Sequence, residues 1–339
     1  MNVIQREDIR LFADSFEFAG DLSNSSFLIT GSTGLIGSTF IHCLIALNKG
    51  VKIIAPVRNL KKAETLFSPE ELSFITLIKC DILTFDYEKL GAVDYIVHCA
   101  APTASKFFVE YPVETFDIIY SGTKVLLDYA RKCPVKGFVN LSSLEVYGTI
   151  LNDSNVITEE VQGYLDPMSL RSSYPMSKRA AENLCCLYAK QYEVPVKVAR
   201  LTQTTGAGLA KDDNRIIAQF ARLIAKGQDI VLHTTGEAAR PYCYTTDAIS
   251  AILYILLRGK AGEAYNVANE NTYISAKDMA EYLRDNFNSS IKVRIELNED
   301  MGYAPVTKLR LSTEKLKALG WCPSCDLQEI FRRLLASFA

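Results

Sequence analysis

The heptapeptide Gly31-Ser32-Thr33-Gly34-Leu35-Ile36-Gly37 spaces three glycines three residues apart. It follows the apolar run Phe27-Leu28-Ile29-Thr30 directly and opens a segment, Leu35 to Leu47, whose apolar residues recur at helical spacing. The order is strand, glycine turn, helix. Gly31 permits the tight turn, Gly34 lets the backbone approach a pyrophosphate, and Gly37 lets helix and strand pack closely. The amides at the helix start, with Thr33, Leu35 and Ile36 beside the glycines, then face the phosphates. A glycine pattern alone also fits a plain turn; the strand before it and the helix after it make dinucleotide binding the better reading.

Further apolar runs follow at Lys52 to Val57, Phe74 to Lys79, Asp94 to Cys99, Gly137 to Ser142 and Pro195 to Leu201. Helix-like segments such as Val113 to Arg131 and Lys178 to Gln191 lie between several of them. Such alternation predicts an α/β fold, a doubly wound parallel sheet with helices on both faces. We expect this domain to span residues 26–202. From residue 203 to 339 the pattern is less regular, which predicts a smaller α/β lobe interleaved with the first, and residues 1–25 read as a helical extension.

Of the 339 residues 48% are hydrophobic, enough to bury a core for two domains, and 37 Lys+Arg against 39 Asp+Glu leave a formal net charge of −2. No broad cationic field is available for nucleic acid or an anionic membrane, so an anionic ligand must be held locally. The opening Met1 to Arg10 mixes charges of both signs and lacks the apolar centre of a secretion signal, and Ala248 to Leu257 is far shorter than the roughly 20 residues a bilayer requires. A cytoplasmic protein is expected, with Ala248 to Leu257 a buried helix. Nine cysteines without framework spacing suit a reducing compartment. Cys322-Pro323-Ser324-Cys325 offers only half a zinc site and stands outside the strand-to-helix setting of a redox dithiol, so no metal is expected. His98, at the end of an apolar strand, reads as a buried structural histidine rather than a general base.

Tyr174-Pro175-Met176-Ser177-Lys178 sets a tyrosine and a lysine four apart, which on a helix stacks them on one face, and proline just inside suits a helix start. An ammonium beside a phenol favours phenolate, so this pair predicts a Tyr174 whose pKa is lowered toward neutrality and which accepts a proton.

Together these segments are similar to the extended short-chain dehydrogenase/reductases. Gly-x-x-Gly-x-x-Gly resembles their fingerprint, and Leu141-Ser142-Ser143-Leu144-Glu145-Val146-Tyr147-Gly148 resembles the segment carrying the catalytic Ser or Thr in nucleotide-sugar epimerases, dehydratases and decarboxylases. By position before Val146-Tyr147-Gly148 the match is Ser143. The resemblance implies that Ser143 bonds the reacting oxygen, Tyr174 exchanges its proton, and Lys178 holds the cofactor ribose and tunes Tyr174. It implies NAD as cofactor, whereas Arg58, followed by Asn59 at the end of the second strand, suits the 2′-phosphate of NADP. Asp81-Ile82 looks like the adenine-contacting pair, and Ala100-Ala101-Pro102 like the loop under the cofactor. Gln203 stands where the family commonly has Asn near the substrate, and Arg240 resembles the arginine that clamps the diphosphate, although a surface ion pair is its alternative. Members often pair through two helices per subunit, so a homodimer built on Val113 to Arg131 and Lys178 to Gln191 is implied.

The family chemistries begin with oxidation of the sugar C4 hydroxyl. A dehydratase resembles Thr-Asp-Glu, where this chain has Ser143-Leu144-Glu145, and leucine donates no proton. An epimerase needs only the serine, tyrosine and lysine with room for the keto sugar to turn. A UDP-glucuronate-type decarboxylase keeps a glutamate at Glu145, and Lys178-Arg179-Ala180-Ala181-Glu182 also looks decarboxylase-like; Glu145 read locally is an exposed or ion-paired carboxylate. The expected activity is therefore epimerisation of a nucleotide sugar, with decarboxylation next and 4,6-dehydration third. An NADPH-dependent carbonyl reductase of the dihydroflavonol type is the alternative from another class, and a non-catalytic cofactor sensor a third.

Overall fold

The computed structural model describes residues 1–150, 156–210, 212–297 and 307–338. Its central sheet has seven strands, all pairings parallel. They are β1 (Ser26–Thr30), β2 (Lys52–Val57), β3 (Ile75–Lys79), β4 (Tyr95–His98), β5 (Gly137–Ser143), β6 (Val196–Leu201) and, after three strands of the smaller lobe, β10 (Ala264–Val267), in the order β10-β6-β5-β4-β1-β2-β3. Alternate strand residues feed two separate cores, which is why the runs are apolar without a polar face. Phe27, Ile29, Val97, Val139 and Leu141 face the helices Leu35–Ala46 and Thr245–Arg258. Leu28, Ile96, Phe138, Val196 and Val198 face the helices Pro112–Lys132 and Ser173–Tyr192. The chain winds from β1 out to β3 and then crosses back to β4 on the other side of β1, so a crevice opens at the carboxyl ends of β1 and β4, where such sheets bind ligands.

The smaller lobe contains β7 (Gln203–Thr205), β9 (Ala239–Tyr244) and β11 (Asn269–Ser275) in one sheet and pairs β8 (Ile230–Leu232) with β12 (Val293–Ile295). Its core gathers Ile217, Phe220, Leu283, Phe331 and Leu334 from the helices Ile216–Ala225, Ala276–Phe287 and Leu327–Phe338. Residues beyond 203 also serve the main sheet: β10 forms its edge, and Thr245–Arg258, the helix expected from Ala248 to Leu257, covers one face.

The N-terminal extension is a helix, Val3–Ser15, capped by Asn2. Ile9, Phe12 and Phe16 join the core beneath helix Leu35–Ala46. Asp8, itself buried, accepts from Tyr244 Oη at 2.6 Å and from Arg333 at 2.5 Å, binding the extension to β9 and to the last helix.

Candidate active site

The glycine turn connects β1 to helix Leu35–Ala46. Gly31 has φ +68°, and a Cβ on it would lie 2.7 Å from the Ala100 amide nitrogen; a Cβ on Gly37 would lie 2.4 Å from the Gly31 carbonyl oxygen. Both positions therefore require glycine. A Cβ on Gly34 would approach no atom closer than the Gly31 oxygen at 3.4 Å, so this part of the turn opens outward. No side chain caps the helix that starts there, with Thr33, Leu35 and Ile36 half-buried around it, and Ser32 Oγ is buried without a partner among the described residues. An uncapped helix start behind an open glycine fits a phosphate group.

Ala100 N donates to Thr30 Oγ1 at 3.3 Å, so the Ala100-Ala101-Pro102 loop lies against the turn, and Thr30 Oγ1 meets His98 Nδ1 at 2.6 Å. Burial pushes the His98 imidazole down to about 3, which keeps it neutral, the structural histidine expected. At the end of β2 Arg58 is exposed and makes no ion pair among the described residues. The Asn59 side chain caps the helix Leu60–Leu66 by accepting from Lys62 N at 3.0 Å. Asp81 is exposed after β3 and accepts from Leu83 N at 2.9 Å, while Ile82 lies against Gly122, whose Cβ would be 3.2 Å from Ile82 Cδ1.

The segment expected to carry the reacting serine leaves β5 at Ser143. Its hydroxyl accepts from Glu145 N at 3.2 Å and so caps the 3₁₀ turn Leu144–Tyr147. Helix Ser173–Tyr192 places Tyr174 in its first turn and Lys178 one turn on, both buried. The Ser143 hydroxyl is near enough to the Tyr174 phenol to favour its phenolate form, and Ala101, from the loop beside the glycine turn, packs against the same ring cluster. Lys178 Nζ donates to Leu141 O at 2.6 Å and lies 5.9 Å from the Tyr174 ring centroid. Burial lowers the Lys178 ammonium to about 8. The structure thus joins the glycine turn, Ser143, Tyr174 and Lys178 along one carboxyl edge of the sheet.

In one respect the expectation for this pair fails. Tyr174 has a pKa above the ordinary tyrosine value, because burial and the Glu145 carboxylate disfavour phenolate more than Ser143 and Arg171 favour it. The Lys178 ammonium, turned to the Leu141 carbonyl, does not offset them.

Glu145 is ion-paired: Arg171 Nη2 stands 3.1 Å from Oε1 and 2.9 Å from Oε2. Leu144 is buried with Val146, Tyr147 and Ile157 in an apolar cluster, where an acid is absent. The run after Lys178 supports this turn mechanically. Arg179 donates to Val146 O at 2.6 Å and Gly163 O at 2.7 Å, and Glu182 pairs with Arg200 at 2.7 Å, which in turn donates to Tyr147 Oη at 3.0 Å.

On the lobe side Gln203 in β7 pairs in register with Tyr242 of β9, and its Oε1 is buried without a partner among the described residues. Arg240, half-buried on β9, forms no ion pair among the described residues. Cys322 is exposed and Cys325 buried, both are free thiols, and no group of His, Cys, Asp and Glu among the described residues could hold a metal. No helix among the described residues is long and apolar enough to cross a membrane.

Two residues of the site escaped the sequence reading. Phe108, 66 positions before Tyr174, stacks on its ring, and no local pattern announces it. Arg171 precedes Tyr174 by three residues, a helical spacing that was a usable signal.

A parallel sheet with a dinucleotide-type turn and a Ser, Tyr, Lys centre on one edge defines a nucleotide-dependent dehydrogenase-type fold. The chain belongs to the NAD dependent epimerase/dehydratase family, whose pattern it matches over residues 27–268. It is 27% identical over 307 residues to UDP-glucuronic acid decarboxylase 5 of Arabidopsis thaliana, covering 91% of this chain and 87% of that one. It is 28% identical over 324 residues to the dTDP-D-glucose 4,6-dehydratase of Bos taurus, again covering 91% and 87%. An epimerase from Methanothermobacter thermautotrophicus has the same fold, with a TM-score of 0.79 at 23% identity and 96% of each chain covered.

Proposed function

We propose that this enzyme binds NAD, reversibly oxidises the C4 hydroxyl of a nucleotide sugar, and returns the C4 epimer. The observation that carries the reading is the convergence of Ser143, Tyr174 and Lys178 beside the glycine turn. NAD, when bound, supplies the acceptor and donor of hydride. Gly31, Gly34 and Gly37 with Thr33, Leu35 and Ile36 hold its phosphates. Ala100, Ala101 and Pro102 line the neighbouring loop, Asp81 and Ile82 the adenine end, and Arg58 and Asn59 the ribose end, where Arg58 also suits NADP. Ser143 fixes the reacting oxygen, Tyr174 takes and returns its proton, and Lys178 binds the ribose. Burial and Glu145 hold the Tyr174 proton on, and Ser143 and Arg171 work against them. Arg240 binds the diphosphate bidentately, a role supported by its having no ion pair among the described residues, and Gln203 offers the sugar a buried acceptor with no partner among them.

Decarboxylation of a uronic acid is the second reading, favoured by Glu145 at the same centre and by the decarboxylase relative. Dehydration lacks its acid, since Leu144 is apolar and buried. Mass spectrometry tests these readings: cofactor is released from the purified protein, which is then incubated with UDP-, dTDP-, GDP- and CDP-sugars including UDP-glucuronate. Unchanged mass with altered mobility supports epimerisation, loss of CO2 decarboxylation, and loss of water dehydration. NADPH-dependent reduction of simple carbonyls with no sugar conversion would replace the reading with a carbonyl reductase.

A homodimer accompanies the proposal. Helices Pro112–Lys132 and Ser173–Tyr192 leave Val113, Phe116 and Leu187 exposed, apolar surface suited to the same pair of helices from a second copy. Sedimentation of the wild type against Phe116→Glu tests it.

A further inference from the structure

Arg171 lies outside the reacting trio, yet its contacts lead to Tyr174 by two routes. Its guanidinium spans both oxygens of Glu145, at 3.1 and 2.9 Å. Its Cζ also lies 5.2 Å from the centroid of the Phe108 ring, which stacks on the Tyr174 ring at 4.2 Å. Glu145 is one residue beyond Leu144 and donates its backbone N–H to Ser143 Oγ, so the carboxylate is tied at its backbone to the serine and at its tip to the arginine. We propose that Arg171 is a positioning residue for Tyr174: its guanidinium, paired to both oxygens of Glu145, offsets the carboxylate's charge at the phenol and so sets how firmly Tyr174 holds its proton. The inference rests on the reading of Tyr174 as the proton acceptor.

The charged groups around the ring are few. Glu145 comes from the 3₁₀ turn, Arg171 from the turn before helix Ser173–Tyr192, and Lys178 from that helix itself. Helix Ser105–Glu110 presents the Phe108 ring, while its Lys106 and Glu110 pair with each other at the surface, 3.4 Å apart. Helix Pro112–Lys132 presents Ile119. Glu145 opposes phenolate and Arg171 favours it, so removing one or the other moves Tyr174 in opposite directions. A side chain that merely packed the helix start would move it in neither.

The test is the pH profile of kcat/KM for the NAD-loaded protein on the nucleotide sugar it converts, with Glu145→Gln, Arg171→Met, Arg171→Lys and the Glu145→Gln/Arg171→Met pair. The acid limb is expected to fall by about half a pH unit or more in Glu145→Gln and to rise by a similar amount in Arg171→Met. Arg171→Lys should restore most of the shift, and the double variant should follow Glu145→Gln. An unmoved limb in Arg171→Met, or an equal upward shift when Glu145 is already gone, overturns the inference. Should Arg171→Met fail to fold, Arg171→Gln decides, with an upward shift expected and none counting against it. If the wild type converts no nucleotide sugar, the proposed reaction is what has failed. Titration of the Tyr174 signal by NMR of tyrosine-labelled, NAD-loaded protein, assigned through Tyr174→Phe, then decides the inference on the same shifts.

Discussion

Phe108 and Tyr174 stack face to face, with ring centroids 4.2 Å apart and planes 10° from parallel. Phe108 is buried on the short helix Ser105–Glu110, and Ser173 Oγ donates to the Phe108 carbonyl at 2.9 Å, so backbone and ring together fix where the phenol sits. The tyrosine ring is therefore held by contacts that do not involve its hydroxyl.

That separation makes Tyr174→Phe an informative variant. The ring keeps its stack, the fold and dinucleotide affinity stay close to wild type, and turnover falls by about 10²–10⁴-fold, the range a positioned acid or base contributes. Steady-state kinetics alongside cofactor titration by fluorescence checks both halves. Turnover within a few-fold of wild type would remove Tyr174 from its assigned role.

Arg58 stands exposed at the end of β2 without an ion-pair partner among the described residues. Its guanidinium is free to bind a 2′-phosphate, and Arg58→Ala is expected to weaken NADP by about tenfold or more while leaving NAD within a factor of about two. Calorimetric titration of both dinucleotides reads the difference; equal losses would mean that Arg58 does not reach the 2′ position.

Arg200 and Glu182 form a buried pair 2.7 Å apart, their side chains only 10% and 11% exposed. Arg200 also donates to Glu159 O at 2.8 Å and to Tyr147 Oη. Glu182→Ala strands the guanidinium in the interior, so unfolding in urea should show a loss of about 3–5 kcal/mol. A loss below about 1 kcal/mol would show that water reaches Arg200 once the carboxylate is gone.

Lys197 on β6 is buried beneath helix Thr245–Arg258, with Leu256 O at 3.1 Å as the acceptor of its ammonium. Burial lowers its pKa from 10.5 to about 8. Between those two values the unfolded chain binds the proton and the folded chain has released it, so this lysine makes stability rise with pH across that window and costs stability below it. Lys197→Met should be more stable than wild type at pH 7, and the difference between the two should shrink as pH rises from about 8 to 10. Because Lys178 and the buried tyrosines titrate alike in both proteins, the difference isolates Lys197. Denaturation midpoints at three pH values check it; a constant difference would place the ammonium in water.

Much of the architecture was legible before any coordinates. The six strands from β1 to β6 lie within a residue or two of the apolar runs, and helix Leu35–Ala46 starts directly after Gly34, with Gly37 in its first turn. These features depend on spacing within one element or across one turn, and chain order carries that directly. The Tyr174 and Lys178 pairing is of the same kind, one helical turn apart on one face.

What the sequence alone determined, then, was the strand and helix order, the glycine turn, and the placing of Ser143 at a strand end with Tyr174 and Lys178 on one helix. Only the tertiary structure decided that Ala264–Val267 returns to the edge of the main sheet, that Phe108 stacks on Tyr174, and that Arg171 holds Glu145. It also reversed the expected shift of Tyr174. A phenol's proton affinity follows from the water excluded around it and from charges across space, and Lys178 Nζ points to Leu141 O, 37 residues away in the chain. Local spacing places side chains on a face; which neighbours that face meets, and how dry the contact is, emerges only when the sheet and its helices close on one another.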